Sequence, residues 1–144
     1  MATYNKFEYR RASHEKFNAA VCAESGGHYA VSHYLAGVSV ECMLRAYRWA
    51  IDPSSDVKHD LRKLMKNSGV LEKLPAKHQS IVRDALIEIA RRWTISHRYA
   101  PADRLETYLK VILARSGKRL LRDNSNEMIG FAQLVLTECD KRCP

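Results

Sequence analysis

Glycine and proline are scarce in this chain of 144 residues, with six and four respectively. Many-stranded β proteins need a turn every few residues, so this scarcity argues for few, long elements. No apolar run approaches the roughly 18 residues that a bilayer-spanning helix requires. The first eleven residues are polar and charged and lack the apolar stretch of a secretory signal, which places the expected location in the cytoplasm. Only four cysteines are present. Cys22 and Cys42 fall in apolar helical stretches as small core residues, and Cys139 and Cys143 lie four apart with no second Cys or His pair at finger spacing. No disulfide framework, metal or cofactor is expected.

What the chain does have is positive charge. Lysine and arginine total 24 against 16 acids, a formal charge of +8. Such an excess concentrates polyanions at the surface and points to RNA or a nucleotide as partner. There is no tail of consecutive like charges, so the basicity belongs to the folded body. The length and the 46% apolar content suit one domain, residues 1–144, with one continuous core.

Apolar periodicity of 3.6 marks the elements. A first helix is expected over Lys6–Ala23, with a stripe of Phe7, Arg11, His14, Phe17 and Val21. A second, over His28–Ala50, is apolar nearly all round, the signature of a buried central helix. Its small residues Ala36, Gly37 and Ser39 would let another backbone approach closely. A short third helix is expected over Lys58–Asn67, with Asp60 at its positive end. A fourth spans Ala76–Arg92, burying Ile81, Ala85, Leu86, Ile89 and Trp93. β-Branched Thr94-Ile95 and the strain of a residue preceding Pro101 then break the helix. A fifth begins near Pro101, and a sixth over Ser125–Lys141 with Ser125 as cap. The fold class is all-α, an up-and-down bundle of about five to six helices.

Three segments carry a resemblance: HYLAGVSVECMLRAYRW (His33–Trp49), HDLRKLMKNSGV (His59–Val70) and RRWTISHRYAP (Arg91–Pro101). Their order resembles the HEPN superfamily, helical bundles found beside minimal nucleotidyltransferases and in ribonuclease toxins. The ribonuclease branch is marked by Arg-x4-6-His, and toxins paired with a nucleotidyltransferase by Arg-x4-His-x-Tyr. Arg92, His97 and Tyr99 match that spacing. The resemblance therefore implies a metal-independent endoribonuclease, a toxin of a toxin–antitoxin pair, working as a homodimer with Arg92 and His97 catalytic. Tyr99 would be the residue modified by the partner nucleotidyltransferase. The family's polar residue after the arginine is Trp93 here; with Arg91 as the motif arginine the spacing becomes Arg-x5-His, and both registers stay open. Its other branch implies a non-catalytic module that binds a nucleotide or the nucleotidyltransferase.

The residue types suit RNA cleavage on chemical grounds. Histidine exchanges protons near neutrality, and the arginine fork matches phosphate oxygens. On an unbroken helix, five steps separate Arg92 from His97 by about 140°. Their convergence thus needs the helix to end between them, or a second subunit. Arg83, Arg91, Arg98 and Arg104 surround the motif as candidate RNA contacts, and Arg115, Lys118, Arg119 and Arg122 form a second basic cluster. Glu41, set among apolar residues, is expected in an ion pair, with an arginine of the fourth helix or orienting Arg92 or His97 from behind. His59 is a candidate for the same cleft.

Overall fold

A computed structural model describes residues 4–54 and 58–143. Helix α1 (Lys6–Ser25) opens on a reciprocal cap, in which Asn5 accepts the Glu8 amide and the Glu8 carboxylate accepts the Asn5 amide, each at 2.9 Å. Gly26 ends it, Gly27 takes a positive φ of 79°, and α2 (Tyr29–Ile51) runs back antiparallel. Of the expected apolar stripe of α1, Phe17 packs against the core, but the stripe as a whole does not form the seam. Phe7 and Val21 are exposed, and Ser13 and Ala20 are buried instead. The reason lies in α2, whose small residues draw the two backbones together. There the Ser13 hydroxyl donates to the Ser39 carbonyl at 2.7 Å.

Helix α3 (Leu61–Asn67) starts three residues later than expected, capped by Asp60, which accepts the Lys63 amide. A 3-10 turn at Leu71–Lys73 leads to α4 (Ala76–Arg92), whose bounds match the expectation. Its buried face is Val82, Ala85, Leu86, Ile89 and Arg92, while Ile81 is exposed. A 3-10 turn at Ile95–Tyr99 precedes α5 (Ala102–Leu113), which ends at Ala114 in the left-handed region. Helix α6 (Leu120–Asp140) begins five residues before the expected start. Ser125 is buried inside it and bonds back to the Arg122 carbonyl rather than capping.

The described residues thus form an all-α bundle of six helices around α2. Met43, Leu44 and Tyr47 of α2 pack with Leu64, Val82, Ile89, Met128 and Val135, and α6 lies against α1, α2 and α4. A second, smaller cluster of Leu105, Leu109 and Leu120 fastens α5 to the starts of α2 and α6. Among the described residues no helix is long and apolar enough to cross a membrane, and no group of His, Cys, Asp or Glu is arranged to hold a metal.

Ala36, Gly37 and Ser39 are buried within the chain. The Trp93 indole lies flat on Gly37 so closely that a Cβ there would come within 2.2 Å of it. The indole Nε1 donates to the Tyr34 carbonyl at 3.0 Å. The small-residue face expected to admit a second backbone is therefore closed by α1 and Trp93. It is not left for another subunit.

Candidate functional site

Helix α4 stops at Arg92 because Trp93 is extended, and His97 sits in the short turn beyond. The break that the sequence required is present, and the two motif residues are on different elements. They do not, however, converge on an open hollow. The Arg92 side chain is 4% exposed and is filled by partners on every side. Its Nε and Nη2 donate to Glu88 Oε2 at 3.1 and 3.0 Å, and Nη1 donates to Glu127 Oε1 at 2.8 Å. Phe131 covers the guanidinium plane at 5.1 Å. The expectation of Arg92 as a phosphate-facing catalytic residue is corrected by this burial: its donors are spent inside the chain. Both carboxylates are held below their usual range, Glu88 chiefly by its bond to Arg91 and Glu127 by Arg115 and Arg92 against burial.

A polar chain nevertheless joins Arg92 to His97. Arg92 Nη1 donates to Asn124 Oδ1 at 3.4 Å, and Asn124 Nδ2 lies 2.9 Å from His33 Nδ1. His33 Nε2 lies 3.0 Å from His97 Nδ1. Arginine can only donate, so Asn124 must turn its carbonyl to Arg92 and its amide to His33. His33 Nδ1 then accepts, its proton sits on Nε2, and that proton goes to His97 Nδ1. The Thr94 amide, 3.3 Å from the same Nδ1, can also only donate. Both ends therefore select one direction, and neutral His97 carries its proton on Nε2.

Burial, then the neighbouring His97 and Arg92, push the His33 pKa down to about 3, against the pull of the Arg92 carbonyl. Burial lowers that of His97 as well. Both rings are neutral at pH 7. His97 is half-buried, with its ring against the edge of Tyr108 at 4.8 Å between centroids. The Tyr108 hydroxyl donates to the Arg91 carbonyl, which ties α5 to the end of α4.

Arg98 and Tyr99 project outward from the same turn. Tyr99 is 75% exposed, and the Arg98 guanidinium lies over its ring and bonds its hydroxyl. Arg91 is exposed but engaged, donating to Glu88 and to the Ile112 carbonyl. Arg104 and Arg83 are exposed on α5 and α4. In the second basic cluster, Arg115, Lys118 and Arg119 line a hollow with Asp123, and Glu127 neutralises Arg115.

Glu41 pairs with neither an α4 arginine nor Arg92 nor His97. Its Oε2 accepts from Arg45 on its own helix at 2.9 Å and from His59 at 2.6 Å. The ion pair expected of a buried carboxylate is there, but four residues away rather than across the bundle. His59 lines a separate hollow of about 250 Å³ with Arg62, Trp93 and Thr94. Glu88, Tyr108, Glu127, and above all His33 and Asn124, were not singled out from sequence. The last two are fully buried polar residues. Their one available signal was a polar residue on the apolar face of its helix.

The architecture is that of an all-α bundle with a buried polar chain at the end of α4. Compared with protein-family models, curated proteins and solved structures, the chain matches none.

Proposed function

We propose that this is a HEPN-type module that binds RNA or a nucleotide by its phosphate, with the Nε2–H of His97 as the recognising donor. The observation that supports it is the one-way polar chain from Arg92. It fixes the His97 tautomer so that a neutral, half-buried imidazole carries its N–H on Nε2, the ring nitrogen with no partner among the described residues. Exposed Arg98 supplies charge beside it, and Tyr99 supplies a ring on which a base can stack. The formal charge of +8 gathers the polyanion.

The test is RNA affinity by fluorescence anisotropy in EDTA. His97→Ala should weaken binding about tenfold, the loss of one hydrogen bond to a charged group worth roughly 1.5 kcal/mol. His97→Gln, which keeps an N–H donor at the end of the side chain, should retain most of it. Equal affinity in all three proteins, or none in the wild type, would end this reading.

Cleavage is the second reading: a metal-independent endoribonuclease, a toxin acting as a homodimer with a nucleotidyltransferase partner. Exposure of Tyr99 favours it, since a modifying enzyme needs that hydroxyl in reach. It also needs a proton acceptor, and the polar chain leaves His97 as a donor.

A further inference from the structure

A second histidine lies near the same turn with the opposite proton arrangement. Glu41 is buried, and its Oε2 accepts from Arg45, whose Nε and Nη2 each lie 2.9 Å away. That oxygen is an acceptor, so His59 presents Nδ1–H to it across their 2.6 Å contact. With the proton on Nδ1, the ring's lone pair is on Nε2, which has no partner among the described residues. This is the carboxylate–imidazole arrangement that orients a general base. The His59 side chain is 54% exposed, so its free nitrogen is within reach of solvent.

The surroundings suit a phosphodiester. His59 lines its hollow together with Arg62, Ala90, Trp93 and Thr94. Arg62 is exposed and has no ion pair among the described residues, unlike Arg91, Arg92 and Arg115. Its charge reaches the Tyr108 phenol, where it works against the burial that raises that group's pKa, and the Tyr108 ring abuts His97. Thr94 belongs to both places: it lines the hollow and gives its amide to His97. An acceptor and an unpaired cation thus border one hollow.

We propose that His59, held by Glu41, is the proton acceptor of a metal-independent RNA-cleaving site in which Arg62 binds the scissile phosphate. The inference rests on the RNA reading above and moves the base from His97 to His59. The 2′-hydroxyl gives its proton to His59 Nε2 while the 2′-oxygen bonds to phosphorus. The bond from phosphorus to the 5′-oxygen breaks, and the departing oxygen takes a proton from water. The imidazolium then returns its proton to the hydroxide formed, so nothing is consumed. The products are a 2′,3′-cyclic phosphate and a 5′-hydroxyl end. Glu41 is a positioning residue, since it acts only through His59.

The experiment is cleavage of labelled single-stranded RNA by the purified chain in EDTA, with product ends read by mass spectrometry and affinity measured in parallel. The expected result is cyclic-phosphate ends from the wild type and a loss of about a hundredfold or more in rate for His59→Ala, the usual size of a general-base contribution. RNA affinity of that variant should stay within about twofold. Because His59 is at the surface, His59→Ala should keep the helical circular dichroism of the wild type. Glu41→Leu, which leaves His59 Nδ1–H without its acceptor, should lower kcat with KM unchanged and abolish the Nδ1–H signature of His59 in ¹⁵N imidazole spectra. A wild type that binds RNA but cleaves none overturns this inference and leaves the binding reading standing; a wild type that does neither removes both. Cleavage by His59→Ala at the wild-type rate overturns it equally.

Discussion

His33 gives its single ring proton to His97: Nε2 of the first lies 3.0 Å from Nδ1 of the second. The direction is set at a distance, by a guanidinium that can only donate and an asparagine that must face it. Arg92, the residue whose spacing from His97 draws attention in the sequence, therefore acts on His97 without touching it. For His97 to become a base at Nε2, His33 would have to change tautomer and Asn124 would have to rotate its amide toward Arg92, donor against donor.

That arrangement makes the fold sensitive to acid. The pKa of His33 is about 3 in the folded chain, below the ordinary value of 6.5. Between those values the unfolded chain binds a proton that the folded chain refuses, so stability is full above about pH 7 and falls as pH drops. The loss from pH 7.5 to 5 should be about 2 kcal/mol from His33 alone, with His97 adding in the same direction. Urea denaturation across that range checks this. His33→Gln should be less stable at pH 7.5 and markedly flatter in its pH dependence.

Arg91 and Arg92 should separate cleanly on mutation. Arg92→Ala leaves Asn124 and two carboxylates short of a partner at a site where the guanidinium was 4% exposed, a loss of about 3 kcal/mol by analogy with broken buried pairs. Arg91→Ala removes a partly exposed pair with Glu88 and should cost under about 1 kcal/mol. Denaturant midpoints measure both. Equal values would mean that the burial of Arg92 carries no energetic weight.

The helices were readable because the 3.6-residue apolar period is local, and α4 was placed at both ends. The start of α6 was missed because Leu120 belongs to the small cluster under α5, while the charged residues flanking it look like loop. Which arginine turns inward could not be read from adjacent positions. Residues 91 and 92 differ by about 100° around the helix, and the choice is made by Glu127 and Asn124, thirty-odd residues downstream on α6. In the sequence His33 is only the beginning of an apolar segment, since a lone polar residue there has no local mark that separates a relay from a satisfied core group. The arginine-histidine motif spans the break after α4, and the buried polar chain that joins its two members runs through residues far away in the sequence.

Gly37 should tolerate no side chain. A methyl group there meets the Trp93 indole at 2.2 Å, and the indole is pinned by its bond to the Tyr34 carbonyl. Overpacking of this kind costs about 1–3 kcal/mol. Gly37→Ala should lower the melting temperature and shift the tryptophan emission, because Trp93 must leave its buried seat. Combining it with Trp93→Leu should cost less than the sum of the two changes, since the smaller side chain removes the clash. Strict additivity would show that the indole does not rest on Gly37 in solution.

The salt dependence of RNA binding should distinguish the two basic surfaces. Each phosphate contact on a single strand contributes about 0.7 to the slope of log K against log salt. Arg98 sits on the same turn as His97, over the exposed Tyr99 ring, so Arg98→Ala should flatten the slope by roughly that amount. Arg115 is held by Glu127 at 2.7 Å and should leave the slope unchanged when replaced by alanine. Affinities measured between low and physiological salt read both values directly. A change with Arg115 and none with Arg98 would move the RNA path to the loop between α5 and α6, away from His97.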